Sequence, residues 1–478
     1  MMRFLQILGF FLVFLGFGCE RAQRFPSPAA RKTTTNDPNN GKDEPPPRLS
    51  WMEPEPRSGD LPIHFVADRD AEWRQLPGFW THYPPIPPFF AQPPLAALTS
   101  LVWTEQVRAI KIKVPRGLPD PTPNFPPNNP PTYGKWRLGK ELFHKPLLRA
   151  GDKTFSCASC HVPGTGFTQD ERRPPDGRYN TLSLVNVAFN RRQFWDGRVR
   201  TLEETLFRSL ADERNLTDTE SRTLALEQHV WGGFVRALFE SDDARLEYQF
   251  NLVFGVKHPT QDTVARALAT YLRTILSGDS LYDRAEKIRR DRQEPQLTED
   301  HFRELLKEGK AGDFLVEGLA IKARGATLPA LIVTGRDLFH GKAKCSQCHA
   351  GPLFTDQDYH NIGYRGPEGW PGPGKETGRA VHVPIGLKES RFIGAFRTPS
   401  LRNLSRTAPY FHDGSHWLLK NVVEFYDAGV QPTAHLATAL RVGGREQQLQ
   451  LTEAERAALV VFLRTLDGVP PDPIVANK

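Results

Sequence analysis

Four of the five cysteines in this chain stand in two copies of one short pattern, Cys157-Ala158-Ser159-Cys160-His161 and Cys345-Ser346-Gln347-Cys348-His349. Cys-x-x-Cys-His is how c-type haem is attached. Two thiols add to the two vinyl groups of one porphyrin, and the histidine that follows sits beneath the macrocycle and ligates iron. A thioredoxin-like redox pair would need a βαβ setting, and neither copy follows a β-rich run. A four-cysteine zinc site would have to join the two copies across a very long gap and would leave both histidines unexplained. The pattern therefore predicts two covalent haems, on Cys157 and Cys160 with His161 as ligand, and on Cys345 and Cys348 with His349.

The chain has 478 residues, enough for two or three domains, and an ordinary hydrophobic fraction of 39%. Its net charge of +7 comes from scattered Lys and Arg. No basic block with interleaved aromatics suggests nucleic acid. A basic surface suits an acidic electron-transfer partner or an anionic membrane. Residues 1–18 read as an export signal, with Arg3 ahead of the apolar stretch Leu5–Gly18, too short to span a bilayer. Cys19 follows Leu15-Gly16-Phe17-Gly18, an order that resembles a bacterial lipoprotein box with the leucine displaced by one position. Lipid attachment at Cys19 and ordinary cleavage stand as alternatives, and both predict a periplasmic protein, membrane-anchored in the first case.

Residues 19–60 are polar and proline-rich and read as a flexible tether. Residues 61–111 mix many prolines with Trp73, Phe79, Trp80, Tyr83, Phe89, Phe90 and Trp103. This extension is expected to pack on the domain that follows, with a helix near 94–110. Beyond it the chain repeats itself. Gly139-Lys140-Glu141-Leu142-Phe143-His144 precedes the first haem pattern, and Gly335-Arg336-Asp337-Leu338-Phe339-His340 the second. Gly166-Phe167-Thr168 and Leu353-Phe354-Thr355 follow them. Such self-similarity implies a duplicated unit. Each unit closes with an amphipathic helix: Asp262–Ser277, stopped at Gly278, and Thr452–Leu466, opened by a Thr452/Glu455 capping box and stopped at Gly468. The expected class is mainly α, two tandem cytochrome c-like domains over 112–285 and 326–478, joined by a charged connector over 286–325 read as solvated helix or linker.

Phe155-Ser156-Cys157-Ala158-Ser159-Cys160-His161, Phe194-Trp195-Asp196-Gly197-Arg198, Arg397-Thr398-Pro399-Ser400-Leu401-Arg402-Asn403 and Ala408-Pro409-Tyr410-Phe411-His412-Asp413-Gly414 resemble the bacterial di-haem cytochrome c peroxidase and MauG family. The resemblance runs from about Lys113 to Leu466. It implies that the first haem, on His161, handles hydrogen peroxide and that the second, on His349, relays electrons from a small donor protein. It further implies that Trp195 bridges the haems and that calcium is held by Asn180 with the carbonyls of Thr407 and Pro409, oxygen ligands that suit a hard cation. A homodimer is compatible with the resemblance.

The chain departs from the family pattern in three places. Methionine occurs only at Met1, Met2 and Met52, so neither haem unit holds the thioether that the peroxidases place on the relay iron. The MauG branch uses tyrosine, and the position falls on Tyr426, with His412 and His416 as rival ligands. No histidine lies between His161 and Trp195, so the first iron is expected to be open. The family's glutamine and proton-shuttling glutamate, ten and twenty residues after the tryptophan, are here Thr205 and Asn215, with Glu213 nearby. The resemblance thus implies a peroxidase, with MauG-like oxidation of a partner protein or plain electron transfer as alternatives.

Overall fold

The computed structural model describes residues 112–169, 179–205, 244–307, 315–319, 327–364, 378–383 and 390–476, with single or paired residues omitted, and the strand Glu72–Arg74. The export segment, Cys19, the tether, the helix expected over 94–110, Glu213 and Asn215 lie outside them.

The chain is mainly helical. Strand is confined, among the described residues, to four two-stranded antiparallel ribbons. The one that matters for the site pairs β5 (Tyr359–His360) with β6 (Phe396–Arg397); the other three are β1 (Glu72–Arg74) with β2 (Ile112–Val114), β3 (Leu148–Ala150) with β4 (Lys153–Phe155), and β7 (Arg441–Val442) with β8 (Arg445–Glu446). The helices are α1 (Tyr133–His144), α2 (Cys157–Cys160), α3 (Ala244–Phe254), α4 (Gln261–Leu272), α5 (Leu281–Asp291), α6 (Glu299–Leu306), α7 (Thr327–His340), α8 (Leu419–Ala428), α9 (Glu453–Arg464) and α10 (Pro473–Ala476).

Each lobe is built on one helix crossing, α1 on α4 and α7 on α9. The repeated glycine makes the crossing close. A Cβ on Gly139 would stand 2.0 Å from the Ala267 carbonyl oxygen, and one on Gly335 2.0 Å from that of Ala458. The phenylalanine one turn on meets an aromatic of the facing helix. Phe143 lies 5.2 Å from Tyr271 between ring centroids, and Phe339 lies 5.2 Å from Phe462. Both phenylalanines are 1% exposed, each burial contributing about 2 kcal/mol or more. Thr452 caps α9 through the expected box with Glu455.

The first closing helix ends earlier than its periodicity predicts, at Leu272. The ladder tightens to i→i−3 bonds at Thr274 and Ile275, and Asn186 holds the chain beyond: its side chain accepts from the Ser277 N–H and donates to the Ser277 carbonyl. Gly278 and Gly468 are seam residues as well as stops. The Val469 N–H donates to the Gly278 carbonyl at 2.8 Å, and a Cβ on Gly468 would stand 2.5 Å from that same oxygen. Asn403, the second-half counterpart of Asn186, accepts from Ser277 Oγ and from the Gly468 N–H.

The charged connector is helical but not simply solvated. Phe302 and His301 of α6 are fully buried, and Leu297, Phe302, Leu315, Ile332 and Val461 form a satellite core on the second lobe. The lobes are further locked by Arg402, whose guanidinium pairs with Asp283 at 2.8 and 2.9 Å and also donates to the carbonyls of Pro352 and Gly117. A buried pair of this kind is costly to break from one side. The described residues all fall within one compact unit.

The two glycines carry a direct prediction. Gly139→Ala and Gly335→Ala should each lower the stability of the haem-loaded protein by about 1–3 kcal/mol through overpacking, read from the denaturation midpoint. Gly164→Ala, which meets nothing within 4 Å, should leave the midpoint nearly unchanged.

Candidate functional site

The two attachment sites place their histidines alike, although the first is a single α turn and the second, Cys345–Gln347, a 3-10 turn opened by left-handed Lys344. Ser156 and Ser159 cap the single turn α2, which puts Cys157 and Cys160 three residues apart on one face. The His161 N–H donates to the Cys157 carbonyl at 2.9 Å, as the His349 N–H does to that of Cys345. His161 Nδ1 lies 3.1 Å from the Phe167 carbonyl and His349 Nδ1 lies 2.9 Å from that of Phe354. Both phenylalanines are held in the left-handed region, with φ of 55° and 52°. A ring that donates from Nδ1 keeps Nε2 as the lone-pair nitrogen, the tautomer a metal ligand needs. Burial lowers the pKa of both imidazoles and keeps them neutral.

Burial also pushes the Cys157 and Cys345 thiols up to about 12. Free thiols in such surroundings are inert, not redox-active, so the donor set fits thioether attachment better than dithiol chemistry. Around the second site a cavity opens between Cys345, Cys348 and His349 on one side and Leu419, Val423 and Leu459 on the other. An apolar wall with a histidine and two cysteines at one edge is what an attached porphyrin requires.

Tyr426 and His412 both border this cavity, and His416 does not. Tyr426 stands one turn after Val422 on α8, and burial first, then the two nearby cysteines, push its phenol above the ordinary value. Phe425 does not share that face; it packs on Tyr364 and Phe411. His412 is buried and stacked on Phe396 at 4.0 Å. His416 is engaged through Nδ1 with Ser415 Oγ at 2.8 Å.

Trp195 lies on the same cavity at the lobe seam, 8% exposed. Its indole N–H donates to the Asn180 carbonyl at 2.8 Å, and its own carbonyl accepts from the Arg397 N–H at 2.8 Å. The adjoining Asp196 is 1% exposed; burial raises its pKa, but the His382 hydrogen bond and the Arg198 charge outweigh this and hold it below the ordinary value. Gly197 is obligatory, since a Cβ there would stand 1.8 Å from the Tyr359 hydroxyl oxygen.

Asn180, Thr407 and Pro409 all border the cavity. The Asn180 amide donates to the carbonyls of Pro409 at 2.6 Å and Phe411 at 3.1 Å, so oxygens already gather round this side chain. Thr205 points elsewhere: its hydroxyl donates to the Thr201 carbonyl at 2.8 Å. Sequence reasoning missed the Asp356–His360 pair beside Cys348, 2.7 Å apart. The bond to Asp356 is the main reason that the His360 pKa is pushed up to about 10. A four-residue spacing on a short strand turn carries no pattern that announces it.

It also missed a second repeat. Phe194-Trp195-Asp196-Gly197 and Phe411-His412-Asp413-Gly414 take the same path, with φ of 65° at both phenylalanines and of 63° and 68° at the glycines. His412 is thus the counterpart of Trp195, and their rings meet edge to face at 6.5 Å. The turns after the haem patterns join this repeat: the Thr168 hydroxyl donates to the Thr181 carbonyl, and the Thr355 hydroxyl to that of Thr398.

Residues 134–292 match the family described as di-haem cytochrome c peroxidase. Cytochrome-c peroxidase IdrP1 of Pseudomonas sp. (strain SCT) is 30% identical over 378 residues, 74% of this chain and 86% of the relative. The chain belongs to the di-haem cytochrome c peroxidase family. The methylamine utilization protein MauG of Methylorubrum extorquens is 29% identical over 388 residues, 78% of this chain and 89% of the relative. Among solved structures, a MauG-like protein associated with microbial copper homeostasis superimposes with a TM-score of 0.53 at 26% identity, covering 76% of this chain and 96% of that one. As a member of this di-haem family the chain carries two c-type haems, and no helix among the described residues is long and apolar enough to cross a membrane.

Replacing Cys345 and Cys348 together by alanine should yield a protein lighter by one haem, with the other retained. Replacing all four cysteines should leave apoprotein mass. Intact-mass spectrometry reads both outcomes.

Proposed function

We propose that this chain is an exported oxidoreductase that reduces hydrogen peroxide to two waters, using two protons and two electrons from a small donor redox protein. When bound, haem supplies redox iron at each site, one for peroxide and one for the donor's electrons. The observation that carries the reading is Trp195, buried at the seam, bonded to both halves and bordering the cavity at the second site. Membership of the family and relatives named cytochrome-c peroxidases support it.

His161 and His349 each present Nε2 as the iron ligand. Tyr426, on the cavity wall beside Cys345 and Cys348, would hold the second iron together with His349. On the first side no histidine follows His161 before Trp195, which leaves room for peroxide. Proton delivery falls to Glu213. Thr205 is tied to Thr201, and Glu203 is held by Arg273 and Asn129. Asn180 with the carbonyls of Thr407 and Pro409 is the calcium site in this reading. The N-terminal leader directs export to the periplasm in this reading, with lipid attachment at Cys19 and ordinary cleavage as alternatives.

One observation favours a second reading. Tyrosine instead of methionine beside the second site, in a chain whose methionines all lie at or before Met52, would hold that iron at low potential. This suits peroxide-dependent oxidation of a partner protein, as MauG-type members carry out.

Steady-state peroxide consumption with a reduced small cytochrome separates the readings. Turnover is expected. Absence of turnover with oxidation of a partner protein supports the second reading, and inertness to peroxide overturns both. Glu213→Gln should lower turnover about a hundredfold, the typical worth of a general acid–base, without altering either haem spectrum. Tyr426→Phe should change the absorption and magnetic spectra of one haem only; unchanged spectra would remove Tyr426 as a ligand.

A further inference from the structure

The seam repeat sets Asn180 opposite Arg397. Each stands six residues before a left-handed asparagine, Asn186 or Asn403. The Asn180 N–H donates to the His412 carbonyl at 2.7 Å, and the Arg397 N–H to that of Trp195, the counterpart of His412, at 2.8 Å. The Asn180 side chain reaches the Phe411 carbonyl and the Arg397 guanidinium that of Phe194, again counterparts. Where the first half places a neutral amide among carbonyls, the second places a permanent cation.

That cation is 6% exposed and borders the second haem cavity. Its hydrogen-bond partners are neutral, Asn190 Oδ1 at 3.1 Å and the Phe194 carbonyl at 3.5 Å. No carboxylate pairs with it among the described residues. Asp196 is taken by Arg198 and His382, and Asp358 by Arg391. The ionisable group that acts on it is the Tyr359 phenol across the ribbon, over which Arg379 already lies. A buried charge without a countercharge costs several kcal/mol, so this site is built to receive an anion. A porphyrin tied through its vinyl carbons keeps two free carboxylates, its propionates. We propose that Arg397 binds a propionate of the haem held by Cys345 and Cys348, and that this fixed cation raises the reduction potential of that haem.

The test is spectroelectrochemical titration of the di-haem protein and does not depend on peroxide turnover. Arg397→Gln should shift the potential of the second haem downward and leave the first in place, because loss of the cation favours ferric iron. Arg397→Lys, which keeps the charge but not the planar fork, should retain most of the potential. Arg391→Gln, at an exposed ion pair, should shift neither. An unchanged potential in Arg397→Gln, a shift in the first haem instead, or an equal shift in the lysine and glutamine variants would overturn the assignment. Should Arg397→Gln fail to mature, the propionate-bending band of Arg397→Lys in resonance Raman decides: a shift supports the contact, and an unmoved band refutes it.

Discussion

A glycine pressed against a carbonyl oxygen sets the frame of each lobe. With no Cβ at Gly139 or Gly335, two helices approach until backbone meets backbone. That closeness brings Phe143 onto Tyr271 and Phe339 onto Phe462. The same phenylalanines pack on Phe167 and Phe354, at 6.1 and 6.2 Å. Phe167 and Phe354 in turn offer the carbonyls that orient His161 and His349. Helix contact, aromatic packing, turn conformation and imidazole tautomer therefore form one causal sequence, present twice.

The duplication keeps its backbone and varies its side chains where the halves meet. Trp195 and His412 occupy matching loops, as do Asn180 and Arg397. An extended indole, an imidazole, an amide and a guanidinium differ in polarisability and charge, so matching frames present unlike groups to the cavity they share. The identical backbone supplies position, and the divergent side chains supply electronic character.

Much of this was legible in the sequence because it is local. The haem patterns, the Leu-Phe helices and the Thr452 cap depend on residues within a few positions of one another. The mainly helical class follows from the same periodicities. The seam was not legible, because its logic is tertiary. Nothing near Leu272 in the sequence announces that Asn186 will hold the chain just past α4. The match of Phe194–Gly197 to Phe411–Gly414 is masked by the change from tryptophan to histidine. The connector's charges conceal a buried face made by Leu297, Phe302 and Leu315, too widely spaced to read as one stripe. Arg397 looks like any basic residue until the described residues around it are seen to lack an acid.

The seam also bears on whether either half could exist without the other. Ser277 leans on Asn403 and Val469, and Asp283 on Arg402. Val475 of α10, far along the chain, returns to receive the Tyr271 hydroxyl. Cutting the chain between its halves would strand each of these polar groups without its mate. Each half therefore completes the other's buried polar groups, and a half expressed by itself would have to leave them to water or unpaired.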